Sequence, residues 1–156
     1  MARENQAKRV IATNRRAHHD YEILDELECG IQLVGTEVKS LRAGRASIVE
    51  SFGLFRGEEL WLVRANVPEY AFGNVYNHKP ERDRKLLAHR RELEKWRRQV
   101  LQRGKTMVPL ELYFQGHLVK IKMALVAGKK LYDKRQRDRE KTAERDIDRA
   151  MSQRRR

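Results

Sequence analysis

The sequence predicts a mainly β (α+β) protein, in which a small antiparallel closed barrel carries added helices and a charged C-terminal tail. Three observations lead to this prediction. Apolar and polar residues alternate over residues 21–33, 108–114 and 118–125, as they do in strands with one buried face. Helical spacing is confined to two segments, and residues 128–156 contain few apolar side chains. Antiparallel strands of this number and length usually close into a barrel, because closure removes exposed strand edges.

The N-terminal part of the chain divides into an arm and the start of the barrel. Residues 1–18 are polar and basic, and we expect them to form a loose arm. The barrel domain is expected over residues 19–127, beginning with a strand that runs from Tyr21 to Leu33. A short helix follows near residues 36–43, with Thr36 as its N-cap.

The rest of the domain is predicted to contain two hairpins that flank a basic helix. Residues 51–67 predict two strands joined by a turn, and residues 66–76 predict an irregular or edge strand. From Pro80 the apolar residues follow a helical period, which predicts a helix over residues 80–103. Residues 108–125 predict the closing hairpin. Beyond it lies a tail, residues 128–156, which we expect to be disordered in the free protein because its charged residues cannot form a core.

The charge of the protein indicates a polyanionic partner. The chain has 35 Lys and Arg residues against 22 Asp and Glu residues, which gives a net charge of +13. Nucleic acid is the commonest polyanion that such a surface binds. A membrane partner would require an amphipathic helix or a lipidation signal, and we identify no convincing case of either. Cys29 is the only cysteine and no signal peptide is recognisable, so we expect a cytoplasmic protein.

No pattern in the sequence indicates an enzyme. The chain has no phosphate-binding loop of the Walker type and no HExxH motif, and its five histidines are not spaced as metal ligands. Cys29 has no obvious base partner, and nothing marks Glu28 and Glu37 as a catalytic pair. We therefore expect no catalytic residues, no metal site and no cofactor.

Five segments in a fixed order carry a specific resemblance. They are NRRAHHDYEI, GIQLVGTEVKSLRAGRA, RDRKLLAHRREL, VPLELYF and AGKKLYDKR. Together they resemble the SmpB family, the SsrA-binding proteins of bacteria, over residues 11–135. The resemblance implies a barrel of the oligonucleotide-binding type and an adaptor that is not an enzyme. It implies binding to the tRNA-like domain of tmRNA (SsrA RNA) and delivery of alanyl-tmRNA to stalled ribosomes in trans-translation.

The resemblance also implies which residues contact tmRNA. By motif position these are Glu28, Leu87 and His89, of which His89 occupies a position where the residue type varies in the family. Four basic residues in the matching segments are further candidates for phosphate contacts, because Lys and Arg neutralise the RNA backbone. They are Lys39, Arg42, Lys85 and Arg90.

In the family the C-terminal segment becomes helical on the ribosome, where it occupies the decoding centre and the empty mRNA path. The residues that match this segment are Gly128, Lys129, Lys130, Tyr132, Asp133, Lys134 and Arg135. The implied partners are the small-subunit rRNA of the stalled ribosome and an elongation factor that carries alanyl-tmRNA, and a monomer is expected. The alternative interpretation of the composition is a ribosomal protein or a general RNA-binding chaperone with a basic tail.

Overall fold

The computed structural model of the protein describes residues 7–73, 77–102 and 104–154, with the backbone alone for residues 129–138 and 154. Seven strands and four helices are assigned within these ranges, which confirms a mainly β (α+β) protein. In chain order they are β1 (Lys8–Thr13), α1 (Arg15–Asp20), β2 (Tyr21–Ile31), α2 (Gly35–Arg42), β3 (Phe52–Arg56), β4 (Glu59–Val63), β5 (Arg84–Leu87), α3 (Arg90–Val100), β6 (Lys105–Gln115), β7 (Leu118–Gly128) and α4 (Lys129–Arg154).

The strands form a closed antiparallel ring, which agrees with the predicted closure. The order around the ring is β3, β4, β5, β2, β7 and β6, and Gly53 of β3 lies opposite Met107 of β6 to complete it. The first strand, β1, lies outside the ring and pairs with the far end of β6, where Lys8 is opposite Gln115. Among the described strands, each of the six in the ring therefore has a partner on both sides.

The core fills the ring with alternate side chains from each strand. It contains fully buried residues from four strands, namely Leu60, Leu62, Leu86, Met107, Ile121 and Met123. Each such side chain contributes about 1.5–3 kcal/mol by leaving water. Helix α3 covers the ring with Trp96, which is buried and donates a hydrogen bond from Nε1 to Asp25 Oδ2 at 3.1 Å.

A buried ion pair joins α2 to the beginning of β5. The side chains of Glu37 and Arg84 are both completely buried, and Arg84 Nε donates to Glu37 Oε2. The same guanidinium donates from Nη1 to the Ala65 carbonyl at 2.9 Å and from Nη2 to the Pro80 carbonyl at 3.1 Å. One side chain therefore fixes the helix, the strand and the segment that connects β4 to β5.

Two further donors complete the coordination of Glu37. Arg82 Nη2 donates to Oε1 at 2.5 Å, and the backbone N–H of Val34 donates to the same oxygen at 2.9 Å. Burial raises the pKa of Glu37, but the hydrogen bonds from Arg82 and Val34 and the charge of Arg84 outweigh it. The pKa of Glu37 consequently lies below its ordinary value of 4.5, and the carboxylate is ionised in the folded protein.

Two predictions for the N-terminal third were wrong in detail. The loose arm predicted over residues 1–18 contains β1 and α1, and residues 1–6 lie outside the described residues. Asn14 fixes the junction of β1 and α1, because its Nδ2 donates to the Pro109 carbonyl at 3.0 Å and its Oδ1 accepts from Ala17 N. Thr36 is not the N-cap of α2, since the helix already includes Gly35 and the Glu37 carboxylate accepts from Val34 N.

The helix predicted over residues 80–103 is shorter, because its first part is a strand. Residues Arg84–Leu87 form β5, which pairs with β4 and β2, and the helix runs only from Arg90 to Val100. Burial alternates along β5, with Arg84 and Leu86 inside the ring. The pairing available on both sides decides the conformation here, although the sequence RKLL contains good helix formers. Residue 103 lies outside the described residues.

The tail, which we predict to be disordered in the free protein, is helical in the structure. Helix α4 extends for 26 residues from Lys129 to Arg154, directly after β7. Its sequence contains neither Gly nor Pro, and ten of its 26 residues are Arg or Lys, which favour helices. Residues 139–153 are all exposed, so local propensity rather than packing supports this part of the helix.

We expect Glu37→Gln to lower the free energy of unfolding by about 3–5 kcal/mol, because it leaves the Arg84 cation buried without its partner. Urea denaturation at pH 7 measures this loss. Glu59→Gln is the matched control, since Glu59 is half exposed and pairs with Lys85 at 3.1 Å. The control should change stability by less than about 1 kcal/mol. Equal effects of the two substitutions would contradict the importance of the buried pair.

The same ion pair predicts a pH dependence of stability. The pKa of Glu37 is lower in the folded protein than in the unfolded chain, so its stabilisation is complete above pH 4.5 and is lost as pH falls through the folded-state pKa. Stability measured between pH 7 and pH 3 should therefore fall less steeply for Glu37→Gln than for the unchanged protein. Parallel curves for the two proteins would show that Glu37 does not titrate on acid unfolding.

Candidate nucleic-acid interface

Glu28 lies on β2 with a fixed and ionised carboxylate. The Tyr113 hydroxyl donates to Glu28 Oε2, and Lys120 Nζ donates to Oε1 at 2.9 Å. The hydrogen bond from Tyr113, followed by that from Lys120, lowers the pKa of Glu28. Half of the side chain remains exposed, so lone pairs of both oxygens are available to an external donor. Exposed amino groups of nucleic-acid bases are donors of this kind.

Tyr113 fixes the position of the Glu28 carboxylate through its hydroxyl group. Burial, followed by the hydrogen bond to Glu28, raises the pKa of Tyr113 above its ordinary range, so its hydroxyl stays protonated as a donor. Lys8 Nζ lies 4.3 Å from the centroid of the tyrosine ring and 2.6 Å from Glu111 Oε2. Sequence reasoning missed Tyr113 and Lys120, which the structure places opposite each other on β6 and β7.

Leu87 is on the neighbouring strand and is exposed beside Glu28. Its position on β5 is directly opposite Gly30 of β2, and Gly30 is in turn opposite Lys120 of β7. A Cβ atom on Gly30 would lie 3.5 Å from Leu87 Cβ, so the missing side chain leaves Leu87 48% exposed. We call the group formed by Glu28, Gly30, Leu87, Tyr113 and Lys120 the Glu28 surface. It combines an acceptor, an apolar group and a cation.

This surface is extended by three more of the predicted residues, Lys85, His89 and Arg90. Lys85, Leu87 and Arg90 line one cleft of about 320 Å³ between β5 and the start of α3. Lys85 pairs with Glu59 at 3.1 Å, whereas Arg90 is 79% exposed and lies 3.4 Å from Glu94. His89 precedes α3 as its N-cap and is exposed, with a side chain that makes no capping hydrogen bond. The cleft therefore places cations that are paired with carboxylates next to an apolar side chain. Its charged lining residues are Lys85, Arg90, Arg97, Glu58, Glu59 and Glu94.

Lys39 and Arg42 belong to a different region, because both are exposed on α2. Lys39 Nζ lies 5.5 Å from the centroid of the Tyr70 ring. The backbone carbonyl of Arg42 accepts from Arg9 Nη2 at 2.9 Å, and these two arginines line a cleft of about 250 Å³ with His117. The contacts described for these two residues connect them with β1 and with the segment after β4, not with the Glu28 surface.

The predicted tail residues lie at the junction of β7 and α4. Gly128 ends β7 and is paired with Tyr21. The backbone of the others is helical, but their side chains lie outside the described residues; they are Lys129, Lys130, Tyr132, Asp133, Lys134 and Arg135. The structure thus places this segment at the start of a helix that is about 39 Å long, from 26 residues at about 1.5 Å each.

The described part of the chain contains no cluster of three or more His, Cys, Asp or Glu residues that would hold a metal ion. Cys29 is buried in the ring, and burial, followed by the charges of Glu92 and Glu28, raises the pKa of its thiol to about 12. A thiol with such a pKa is not a nucleophile at neutral pH. None of the described helices is both long enough and apolar enough to span a membrane.

Comparison with known proteins places the chain in a family. The family model described as SmpB protein matches residues 11–153. The SsrA-binding protein of Acidothermus cellulolyticus is 50% identical over 154 residues, which cover 99% of this chain and 96% of that protein. The SsrA-binding protein of Kineococcus radiotolerans is also 50% identical over 154 residues, covering 99% and 98% of the two chains.

A solved structure agrees with the sequence relatives. The chain in the structure described as "tmRNA-SmpB: a journey to the center of the bacterial ribosome" superposes with a TM-score of 0.64 and is 47% identical in sequence. The superposition covers 75% of this chain and 82% of that chain. On the strength of the family match over residues 11–153 and of relatives that are half identical over nearly its whole length, the chain belongs to the SmpB family.

Proposed function

We propose that this protein binds SsrA RNA (tmRNA) and acts with it as an adaptor in trans-translation on stalled ribosomes. The observation that carries the proposal is 50% identity to SsrA-binding proteins over 99% of the chain. A likeness to a chain in a tmRNA–SmpB structure of the ribosome supports both partners. The protein then acts by binding and catalyses no reaction. Because the proposed site of action is the ribosome, we expect the protein to be cytoplasmic.

Within this proposal, the Glu28 surface and its cleft bind the tRNA-like domain of tmRNA. Structured RNA is recognised at unpaired bases, which offer amino groups as donors and apolar faces for packing. Glu28 supplies an ionised acceptor and Leu87 supplies the apolar contact, while Lys120, Lys85 and Arg90 neutralise phosphates. A half-exposed carboxylate on a protein of net charge +13 would otherwise only repel RNA, so its fixed geometry favours a specific hydrogen bond.

Helix α4 has a different role in the proposal, which is contact with the ribosome. The helix projects a chain of exposed residues from 139 to 153, with Ile147 and Met151 both more than half exposed. A basic helix of this length fits an RNA-lined channel such as the empty mRNA path. We assign residues 128–135, including Asp133, Lys134 and Arg135, to the decoding centre.

We expect Glu28→Gln to weaken binding to the tRNA-like domain of tmRNA by roughly 10- to 100-fold, the range for loss of a specific base contact. Electrophoretic mobility shift at fixed salt measures the Kd. The direction of the change in Kd is informative, because removing a negative charge should strengthen non-specific binding to RNA. Glu26→Gln is the matched control: Glu26 lies on the same strand, is 44% exposed and pairs with Lys122 at 3.3 Å. Unchanged or tighter binding by Glu28→Gln would contradict the assigned contact.

We expect Leu87→Ala to weaken the same binding by roughly 5- to 50-fold, because an apolar contact with an unpaired base is lost. Leu54→Ala is its control, since Leu54 is similarly exposed at 41% but lies on β3. Thermal unfolding of both variants should differ little from that of the unchanged protein, because both side chains are partly in water. Equal affinities of the two variants would remove Leu87 from the interface.

A chain that ends at Leu131 should bind tmRNA with nearly unchanged affinity and should lose tagging of proteins on ribosomes stalled on messages without a stop codon. The reason is that the proposed RNA surface lies on the strands, whereas the removed residues belong to α4. Asp133→Ala, Lys134→Ala and Arg135→Ala, combined in the full chain, should reproduce the loss of tagging. A large loss of tmRNA affinity on truncation would instead make α4 a general polyanion-binding arm.

A further inference from the structure

The segment between β4 and β5 is fixed firmly to α2 by hydrogen bonds. Ser40 Oγ donates to the Pro68 carbonyl at 2.7 Å. His78 is buried, with Nε2 donating to the Val67 carbonyl at 2.8 Å and Nδ1 lying 2.8 Å from Thr36 Oγ1. These contacts hold Val67, Pro68 and His78 against α2.

A tight turn at residues 70–73 is part of this segment. The Gly73 N–H donates to the Tyr70 carbonyl at 2.9 Å, and Asn77 Nδ2 donates to the same oxygen at 2.8 Å. A Cβ atom on Gly73 would lie 3.0 Å from both Asn77 Cγ and the Tyr70 carbonyl oxygen, so any larger residue would displace the asparagine. The turn is therefore built for glycine at this position and for one conformation.

This turn presents an aromatic ring to solvent. Phe72 is 86% exposed, which is the largest exposure among the large apolar side chains of the described residues. Its ring packs edge-on against Tyr70 with centroids 5.7 Å apart and an interplanar angle of 67°. Lys39 Nζ lies 5.5 Å from the Tyr70 centroid, and Arg42 follows one turn later on the same side of α2. Tyr70 therefore lies in contact with the exposed Phe72 ring and with the Lys39 cation.

We propose that Phe72, Tyr70 and Lys39 form a base-stacking site for an unpaired nucleotide of the tRNA-like domain of tmRNA, separate from the Glu28 surface. Phe72 offers its face to the base, Tyr70 fixes the ring, and Lys39 neutralises an adjacent phosphate. A single exposed ring, whose aromatic neighbour Tyr70 lies close to the Lys39 cation, matches one nucleotide, whereas a protein partner requires a wide apolar patch. The inference rests on the proposed function for the identity of its RNA.

The test compares Phe72→Ala with Leu101→Ala for binding to the tRNA-like domain over a range of salt concentrations. Leu101 is 81% exposed and is the C-cap residue that follows α3. Phe72→Ala should raise the Kd roughly 5- to 150-fold, the range for loss of one stacked base, without changing the salt dependence. Lys39→Gln should instead reduce the slope of log K against log salt by about 0.7–0.9. Phe72→Trp keeps an aromatic ring and should bind with the affinity of the unchanged protein. Leu101→Ala should leave the Kd unchanged.

A second measurement detects stacking directly. Tyrosine and phenylalanine rings that stack on 5-iodouridine crosslink to it under ultraviolet light, so RNA substituted at unpaired positions should crosslink to the peptide that contains Phe72. Equal affinities of Phe72→Ala and Leu101→Ala, with no such crosslink, would overturn the site. Normal RNA binding by Phe72→Ala together with defective tagging would also overturn it, in favour of a contact with protein.

The experiment separates this inference from the proposed function. If Glu28→Gln loses affinity and Phe72→Ala does not, the proposed function stands and the stacking site fails. If the unchanged protein shows no preference for the tRNA-like domain over other RNA, the proposed function fails. In that case the same variants are measured on a single-stranded oligouridylate, where a loss confined to Phe72→Ala still supports a stacking site.

Discussion

The buried ion pair between Glu37 and Arg84 is the interaction on which both proposed RNA-binding regions depend. It joins α2 to the first residue of β5 and holds the Ala65 and Pro80 carbonyls through the same guanidinium. Fixing Arg84 sets the register of β5, which brings Leu87 opposite Gly30 and next to the Glu28 carboxylate. Fixing α2 places Lys39 beside the turn that carries Phe72. A pair of buried charges is weak evidence for stability by itself, but here its geometry determines the position of two surfaces.

The parts of the fold that the sequence predicted are those determined by local patterns. Alternation of apolar residues predicted β2 and the β6–β7 hairpin, and the helix near residues 36–43 is present as α2. The strands β1 and β5 were not predicted, because both are short and owe their conformation to partners that are distant in sequence. Lys8 of β1 pairs with Gln115, and Leu86 of β5 pairs with Leu60. Such pairing closes the ring, and no window of local sequence contains it.

In the candidate site, too, some residues were predicted from the sequence, whereas others depend on the pairing of strands that are distant in sequence. Glu28, Leu87 and His89 were predicted through the family resemblance, and the structure places Glu28 and Leu87 on adjacent strands. Tyr113 and Lys120 were missed, although they determine the state of Glu28: both donate to its carboxylate and both lower its pKa. A donor that lies 85 residues away in the chain can be found only from the register of β2, β7 and β6. The proposed RNA contact was thus identified from the family resemblance, whereas the residues that hold it in place were found only from the structure.

A carboxylate and a phenyl ring are unusual choices for the surface of a strongly basic protein that binds RNA, and the structure explains how both can serve. Lysine and arginine provide affinity for any polyanion, but they distinguish one RNA from another poorly. Discrimination between RNAs requires groups that form favourable contacts only with a particular arrangement of bases. Such groups contribute to affinity only when the protein fixes their position. Tyr113 and Lys120 hold the Glu28 carboxylate, while Asn77 and Gly73 hold the turn below Phe72. If both proposed regions bind RNA, the cations around them attract it, and the two fixed groups select which RNA remains bound.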